Sequence, residues 1–358
     1  MRPVTGTRAP LSIAFVDGFD PLHEDWTRLA VAGGNVFGTW EWNELWWRHY
    51  GRDRALRIAV LREEEEIAAI VPLFRWSQRP LRILRLVGHG HGDCLGPVCE
   101  DDSETAEEAL RLALEADPHD VFIGDWVAGE RDWGRVLRGR VVRRTGYPIL
   151  RLPASWDEFL SAQSTRFRKS ARNQRNRLYR SHDVAYRYAD AVTLERDLDD
   201  AFRLHRARFG AHAQCNYCGE HERFQRAFAA RALERGWLRL LFLEVDGEPV
   251  CFEHGFSYES AHFAYQAGRD PAWDRHSVGF VLDLEAIRRA VEAGVEEFRF
   301  LGGEEDYKYR YRTEDPRLET VAAPGTGRGR VAVAALAAMW RFPIGEALVR
   351  RIGSARPD

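Results

Sequence analysis

The order of apolar and polar positions is clearest between Leu238 and Tyr311. Apolar runs at Leu238–Val245 and Pro249–Tyr258 flank Asp246-Gly247, a dipeptide typical of a two-residue hairpin turn. A third strand-like run follows at His262–Ala267. The pattern therefore predicts three consecutive antiparallel strands.

The next segment predicts a helix and one more strand. Apolar residues recur near helical spacing over Phe280–Val291, Gly294 is placed to end the helix, and Glu297–Leu301 predicts the strand. A helix that begins beside a sheet presents unpaired N–H groups and the positive end of its dipole, which suit a phosphate. We expect Ser277 to cap this helix and Gly279 to let a ligand approach the backbone. An ordinary capped helix after an ordinary loop is the alternative.

Strands and helices also alternate in the first half of the chain. The predicted elements are a strand at Leu11–Val16, helices at Asp20–Ala32 and Trp40–Tyr50, a hairpin of Leu56–Leu61 and Ile67–Arg75, and a strand-like segment at Val141–Leu152 that Gly146 and Pro148 interrupt. We therefore predict a first domain at residues 10–152, a second at 153–322, and a tail at 323–358 with an amphipathic helix over Val331–Arg351.

Composition narrows the possible functions. The chain has 358 residues, of which 45% are apolar and 30% charged, and its net charge is −3. A net charge this small predicts no general attraction to nucleic acid or membranes, so any such contact needs a local patch. No signal peptide and no run long enough to span a membrane are visible, and the five cysteines are an odd number. We expect a cytoplasmic protein with reduced thiols.

Seven segments in a fixed order resemble a known family. They are Thr39–Trp42 with Trp46-Trp47, Ile70–Leu73, Gly88–Asp93, the basic helix Arg166–Arg180, Leu204–Phe209, Arg275–Gly279 and Gly303–Lys308. In this order they resemble the GNAT acyltransferase superfamily, and more closely its acetyltransferases of the cellulose-biosynthesis type, which are similar to the FemABX aminoacyl transferases. Two positions depart from the family: Val278 stands where Pro is usual, and Arg299 where Asp is common.

The resemblance implies an α+β fold made of two tandem GNAT-like domains, each a mixed, mostly antiparallel sheet flanked by helices. The first domain would lack a cofactor, and the second would hold an acyl-coenzyme A donor. The implied reaction moves the acyl group to an amine or hydroxyl of a sugar, peptide or small metabolite. The expected donor-binding residues are Arg269, Arg275, Ser277, Val278, Gly279 and Phe280. A backbone N–H within Ala264–Ala267 would stabilise the oxyanion.

Candidates for catalysis follow from the strand and from the family motif. Glu253 lies in an otherwise apolar strand, where burial would raise its pKa toward that of a useful base. His254 would face the opposite side of the sheet, and His262 is a third candidate. Tyr307 and Lys308 match a Tyr-Lys pair of the family. Lys308 would hold a phosphate or carboxylate, or else pair with Glu304 or Glu305.

The helix Thr165–Arg180 carries seven basic residues and no acidic one. This composition suits phosphate groups of tRNA, a nucleotide sugar or coenzyme A. The residues assigned to substrate or phosphate are Arg166, Arg168, Lys169 and Arg172, with Asp93 from the loop of the first domain. The alternative is a solvated helix paired with acidic neighbours, for instance Glu195, Asp197, Asp199 and Asp200.

Metal binding is not predicted, although two segments contain possible ligands. In the loop Gly88–Asp93 three glycines also make a plain flexible loop and no fourth ligand is obvious, and the resemblance implies that this loop contributes to the substrate cleft. A zinc site made of His212, Cys215, Cys218 and His221 stays open beside a mobile substrate-facing loop. Two alternative functions also stay open. One is a FemABX-like transferase that takes aminoacyl-tRNA as its donor, and the other is a binding module that has lost its chemistry.

Overall fold

The computed structural model describes residues 11–78, 80–100, 103–209 and 217–339, and it divides into two compact units. Unit 1 combines the chain up to Gly146 with the chain from Pro316, and unit 2 is Tyr147–Asp315. These boundaries differ from those that the sequence predicted. The predicted segment Val141–Leu152 is divided between the two units, and the chain after Pro316 contributes a strand to unit 1.

Unit 1 is built on one sheet. Its elements are β1 (Ser12–Val16), α1 (His23–Gly33), α2 (Trp40–Tyr50), β2 (Ala55–Glu63), β3 (Glu66–Gln78), β4 (Leu81–Leu86), β5 (Val98–Cys99), α3 (Ser103–Ala116), β6 (Val121–Ala128), α4 (Trp133–Val136), β7 (Arg140–Thr145), β14 (Leu318–Pro324) and α11 (Gly327–Met339). Within the described residues the strand order is β1-β2-β3-β4-β6-β14-β7, with β5 beside β3. All pairs are antiparallel except β4 with β6.

Helix α2 shows why the aromatic segment of unit 1 is helical and buried. The hydroxyl of Thr39 caps it by accepting a hydrogen bond from the backbone N–H of Trp42 at 3.3 Å. Trp42 and Trp46 then fall on one face and are almost completely buried. The predicted helix and its bounds are confirmed.

Unit 2 holds the second sheet. Its elements are β8 (Ile149–Arg151), α5 (Trp156–Ala162), α6 (Thr165–Ser181), β9 (Val184–Tyr188), α7 (Leu194–Phe209), α8 (Glu220–Glu234), β10 (Leu238–Val245), β11 (Glu248–Tyr258), β12 (Ala261–Arg269), α9 (Val278–Glu292), β13 (Glu297–Arg299) and α10 (Asp306–Tyr309). The order is β8-β13-β12-β11-β10-β9, and only β12 with β13 is parallel. Two mixed, mostly antiparallel sheets with flanking helices confirm the predicted α+β class.

The strands at the centre of unit 2 follow the predicted hairpin. Asp246 and Gly247 both have positive φ angles, 53° and 86°, as a two-residue turn of this kind requires. The register between β11 and β12 shifts after His254, where Gly255 pairs with Ala264 although His254 pairs with Gln266. Tyr265 is the extra residue of this bulge, which re-aims the strand locally.

Helix α9 covers one face of the second sheet. Its apolar residues join Leu241, Leu243 and Cys251 in one buried core, and the largest contributions from the helix are Val278, Val281, Leu282, Leu284 and Ile287. The apolar residues of α9 recur at helical spacing because they form the face of the helix that packs on the sheet. This packing also fixes the beginning of α9 beside the ends of β11 and β12.

The last described helix, α11, starts at Gly327 and is followed to Met339. The predicted amphipathic helix over Val331–Arg351 thus begins earlier than expected, and its second half lies outside the described residues. None of the described helices is both long enough and apolar enough to cross a membrane.

Candidate active site

The beginning of α9 presents three backbone amides. The first hydrogen bond of the helix runs from Val281 N–H to Ser277 O at 3.1 Å. The N–H groups of Val278, Gly279 and Phe280 therefore have no acceptor within the helix. Because they share the positive end of the helix dipole, they are suited to bind an anion.

The predicted cap at Ser277 is wrong. Ser277 has φ 55° and ψ 40°, and its side chain makes no capping hydrogen bond. A residue whose side chain caps a helix usually has an extended backbone conformation, whereas the backbone of Ser277 is in the left-handed region. The amides of α9 are thereby left without a competing side-chain acceptor.

Two arginines predicted to bind the donor lie beside this helix end, and both already have partners. Arg269 forms an ion pair with Asp274, and its Cδ lies 3.8 Å from the position that a Cβ on Gly279 would take. Arg275 donates from Nε to His276 Nε2 at 3.0 Å. Arg269 is thus placed at the amides, with a carboxylate that partly offsets its charge.

His276 was not predicted to bind the donor, although it lies in the predicted loop. It is 9% exposed, and burial, followed by the charge of Arg275, lowers its pKa. Since its Nε2 accepts from Arg275, its Nδ1 carries the proton, and this atom is buried without a partner. His276 therefore offers a further donor immediately before Ser277.

The side chains of Val278 and Phe280 serve the core. Val278 is completely buried. The ring of Phe280 lies 5.8 Å from that of Phe167 and 6.4 Å from that of Tyr311. Only the backbone amides of these two residues are suited to bind a ligand.

The basic helix α6 lies beside the beginning of α9. Arg177 donates a hydrogen bond to the carbonyl of Arg275, while Phe167, ten residues earlier, contacts Phe280. These two contacts place the middle of α6 between them, next to the free amides. Arg166, Lys169 and Arg172 are exposed and form no ion pair within the residues that the structure describes.

The acidic neighbours that were proposed to neutralise α6 pair elsewhere. Arg187 binds Asp197, Arg226 binds both Glu195 and Asp199, and Arg203 binds Asp200. The expected pairing of α6 with these four acids is therefore not observed.

Arg168 differs from the other cations of α6. Its Nη1 donates to the carbonyls of Ser161 at 3.1 Å and Gln163 at 2.8 Å, where it satisfies the end of α5. These bonds fix the guanidinium of Arg168 at the end of α5, where it is not available to a ligand. We therefore leave Arg168 out of the phosphate-binding set.

A buried carboxylate and imidazole lie on the face of β11 and β12 that α9 covers. His262 Nε2 is 2.7 Å from Glu253 Oε1, and both side chains are nearly buried. The second carboxylate oxygen, Oε2, has no partner. A Cβ on Gly255 would lie 2.7 Å from Glu253 Oε1 and 2.8 Å from His262 Nε2, so a glycine is needed here. The pair presents one unsatisfied oxygen for a substrate proton.

Asp283 is the functional candidate that sequence reasoning missed. It lies on α9 and is half-buried. Burial, followed by the negative charge of Glu253, raises the pKa of Asp283 to about 7, while the cations Arg208, Arg310 and Arg269 act in the opposite sense. A carboxylate with such a pKa can accept a proton near neutral pH. The available signal was an acid among the apolar residues of α9.

His254 faces the other side of the sheet. It is completely buried, its Nδ1 lies 2.9 Å from the hydroxyl of Tyr217, and burial lowers its pKa to about 3. The predicted alternation of Glu253 and His254 is thus observed. Because α9 covers the Glu253 face, His254 is removed from the set of candidate bases.

Tyr307 and Lys308, the predicted Tyr-Lys pair, lie among groups of the protein itself, and the charge of Lys308 is already used. Lys308 is 5% exposed, and its Nζ donates to the carbonyl of Gly302 at 2.9 Å and pairs with Glu305 at 3.0 Å. This is the pairing given above as the alternative to substrate binding. Tyr307 is half-buried, and burial, followed by the charge of Asp283, raises its pKa.

The predicted oxyanion segment coincides with the bulge of β12. Ala264–Ala267 contains the extra residue Tyr265, at which the register between β11 and β12 shifts. Arg208 donates to the carbonyl of Ala267 at 3.3 Å, next to Glu253 in the register. The amides of the bulge thus lie on the strand adjacent to the carboxylate.

The remaining predicted residues are in other places. Asp93 lies in unit 1 and is 3% exposed. Of the possible zinc ligands, His212 and Cys215 lie outside the described residues, and Cys218 is disulfide-bonded, so the expectation of reduced thiols is wrong at this residue. In the part of the chain that is described, no three His, Cys, Asp or Glu side chains form a group able to hold a metal ion.

The profile of a family described as an acetyltransferase (GNAT) domain matches residues 165–309. The match runs from the beginning of α6 to the end of α10, and so contains the amides of α9, Glu253, His262 and Asp283. No curated protein matches the sequence. Unit 2 is thus similar to a GNAT acetyltransferase domain over residues 165–309.

Solved structures share the fold at low sequence identity. FemX has a TM-score of 0.63 with 10% identity over 91% of this chain and 100% of its own. A conserved protein of unknown function from Bacteroides thetaiotaomicron has a TM-score of 0.58 with 17% identity over 87% and 99%. The C-terminal domain of a putative lysylphosphatidylglycerol synthetase from Agrobacterium fabrum has a TM-score of 0.56 with 13% identity over 89% and 95%. At these identities the likeness concerns the fold alone.

Proposed function

We propose that the protein is an acyltransferase that takes its acyl group from acyl-coenzyme A and transfers it to an amine or hydroxyl of a sugar, peptide or small metabolite. The observation that carries the proposal is the set of three free amides at the beginning of α9, within the residues that match the GNAT domain. Amides at a helix N-terminus bind phosphate groups without a dedicated side chain. The pyrophosphate of the donor is assigned to this helix end.

Side chains around the amides support the assignment. Arg269 contributes positive charge, and His276 contributes an unpartnered Nδ1–H. The exposed cations of α6, Arg166, Lys169 and Arg172, add attraction for a phosphate-rich donor.

Two carboxylates, Glu253 on β11 and Asp283 on α9, are suited to the proton transfer. Glu253 offers its free Oε2, and Asp283 has a pKa of about 7. One of these carboxylates accepts the proton of the attacking neutral amine or hydroxyl as the new bond to the acyl carbon forms. The bond from the acyl carbon to sulfur breaks, coenzyme A leaves as a thiolate, and a proton then passes to the sulfur, which restores the carboxylate. An amide of the bulge in Ala264–Ala267 donates to the carbonyl oxygen as its negative charge develops. Positioning and electrostatics would then supply the catalysis, without a covalent intermediate.

Calorimetric titration with acetyl-coenzyme A tests the proposal. The wild-type protein is expected to bind, and Gly279→Trp is expected to abolish binding because the indole would cover the amides. A Cβ at Gly279 meets only ordinary contact, so the variant is expected to fold. Gly18→Trp is a matched control, since a Cβ at Gly18 has no atom within 4 Å and lies in unit 1. Absence of binding by wild-type protein, or equal binding by Gly279→Trp, would contradict the donor site.

A second candidate donor is aminoacyl-tRNA. It is favoured by the three exposed cations of α6, which have no partner among the described residues, and it fits the shared fold of FemX. Filter binding with charged and uncharged tRNA separates the donors when wild-type protein is compared with a triple variant, Arg166→Gln, Lys169→Gln and Arg172→Gln. Tight binding of charged tRNA that the triple variant loses, without binding of acetyl-coenzyme A, would make this the function.

A further inference from the structure

A group of aromatic and basic side chains in unit 1 takes no part in the site described above. The guanidinium of Arg54 lies over the rings of Trp46, Phe74 and Trp76, with distances to the ring centroids of 5.5, 5.0 and 5.4 Å. Arg54 is half-buried, and its guanidinium forms no hydrogen bond or ion pair with any described residue. The aromatic faces hold this cation in place but do not neutralise it.

A second guanidinium contacts the same indole. Arg85, on β4, lies 5.7 Å from the ring centroid of Trp76 and is 5% exposed. All of its hydrogen bonds use Nη1, with His89 and with Asp125 as partners, and its Nε is buried without a partner. A buried donor without an acceptor is costly, so this edge of the guanidinium indicates a missing oxygen ligand.

The charges around the two arginines do not balance. Asp125 is shared by Arg85 and by His89, whose Nδ1 lies 2.8 Å from it. Burial opposes the ionisation of Asp125, yet the charges of His89 and Arg85 hold its pKa at about 2. Burial also lowers the pKa of Arg54, and the charge of Arg85 lowers it further. Two guanidinium groups thus face one carboxylate in a partly desolvated site.

The two neighbouring histidines add no further positive charge at neutral pH. Burial lowers the pKa of His91 to about 4 and also lowers that of His89. His91 Nδ1 lies 3.1 Å from the indole Nε1 of Trp46. The histidines therefore act as neutral hydrogen-bonding groups that fix the aromatic and basic side chains.

We propose that Arg54 and Arg85 bind an oxyanion, a carboxylate or phosphate group, of a small ligand whose planar or apolar part lies against Trp46 and Trp76. The anion supplies the missing charge and accepts from the unused edge of Arg85, as guanidinium groups favour for such oxygens. The indole rings provide a flat apolar surface for the adjoining part of the ligand. This site is formed by residues of unit 1 alone and does not depend on the donor site in unit 2.

Calorimetric titration of the full chain with inorganic phosphate, acetate and benzoate tests the proposal. We expect phosphate and benzoate to bind, and benzoate to bind more tightly than acetate because its ring contacts the indoles. Arg54→Gln is expected to weaken binding of every probe by about tenfold or more, the loss that one charge-assisted hydrogen bond represents. The control is Arg48→Gln, which removes an exposed arginine already paired with Glu44 and should leave binding unchanged.

Thermal unfolding gives a second measurement. Because the guanidinium of Arg54 has no hydrogen-bond or ion-pair partner among the described residues, Arg54→Gln should fold and be at least as stable as wild type without anions. Phosphate should raise the melting temperature of wild type more than that of Arg54→Gln. The proposal is overturned if no probe binds, if Arg54→Gln binds as well as wild type, or if Arg48→Gln loses as much affinity. Equal affinities for benzoate and acetate would show that the indole rings of Trp46 and Trp76 do not contribute to binding.

Discussion

His262 Nε2 lies 2.7 Å from Glu253 Oε1, across two neighbouring strands, and the space for this contact exists because residue 255 has no side chain. We predict that Gly255→Ala separates the pair, since its Cβ would lie within 2.8 Å of both polar atoms. The expected cost in unfolding free energy is about 1–3 kcal/mol, as for other overpacked sites. Chemical denaturation of the variant measures it.

Gly18→Ala is the matched control, because a Cβ at that position meets no atom within 4 Å. Donor binding by Gly255→Ala should be retained, since α9 is unchanged, while acyl transfer should fall. Unchanged stability and unchanged transfer in Gly255→Ala would show that the pair tolerates displacement and has no catalytic part.

The pH dependence of acyl transfer is expected to follow Asp283. Its pKa is raised to about 7, and a base acts only when unprotonated, so the rate should rise with pH and level off above about 7. Asp283→Asn should lower the rate and remove this inflection. The measurement is thiol release from acetyl-coenzyme A with a mixture of amine acceptors. If Asp283→Asn lowers the rate of acyl transfer at every pH but keeps the inflection near pH 7, a residue other than Asp283 is the base.

Asp283 also predicts how stability changes with pH. Its pKa is about 7 in the folded chain against an ordinary 3.8, so the folded state binds more protons between these values. Stability relative to Asp283→Asn should therefore fall as pH rises from about 4 to about 7 and stay constant above. The full difference is at most about 4 kcal/mol, because Asp283 is partly exposed. Urea unfolding at several pH values checks the sign; a wild-type stability that rises relative to Asp283→Asn as pH rises from about 4 to about 7 would contradict it.

The elements of unit 2 could be predicted from the sequence because their signals are local. Asp246-Gly247 fixes a hairpin by its turn geometry, and the apolar stripe of α9 fixes a helix by its period. The return of Leu318–Pro324 to unit 1 could not be predicted. Its partners, β6 and β7, lie far earlier in the sequence: Leu318 pairs with Ala128 and with Thr145. Strand pairing over such separations leaves no local pattern in the sequence.

The candidate site was predictable only in part, for the same reason. Glu253 was found because an acid in an apolar strand is unusual in itself. Asp283 was missed because its raised pKa depends on Glu253, which lies on another element and comes close only in the folded chain. The cap at Ser277 was predicted from residue type, whereas its left-handed backbone decides the outcome.

The cations of α6 are expected to divide into structural and ligand-binding groups. Arg168→Ala should lower the unfolding free energy by about 1–3 kcal/mol, since carbonyls at the end of α5 lose a charged donor. Lys169→Ala, the next residue, should leave stability unchanged but weaken binding of the phosphate-bearing donor, because Lys169 is exposed and has no ion pair among the described residues. Denaturation and titration of the two variants test this; equal effects of both variants in either measurement would refute the division.

Lys308 is expected to stabilise the loop before α10 more than it contributes to chemistry. Its Nζ is buried between the carbonyls of Leu301 and Gly302, with Glu305 as an exposed counter-charge. Lys308→Met should therefore cost about 1–3 kcal/mol, because two buried carbonyls lose a charged donor. Glu305→Gln should cost no more than about 1 kcal/mol, as is usual for an exposed ion pair. Urea denaturation of the two variants compares these values. If Lys308→Met instead keeps the wild-type stability and loses only acyl transfer, the lysine acts on a substrate, as the family motif first suggested.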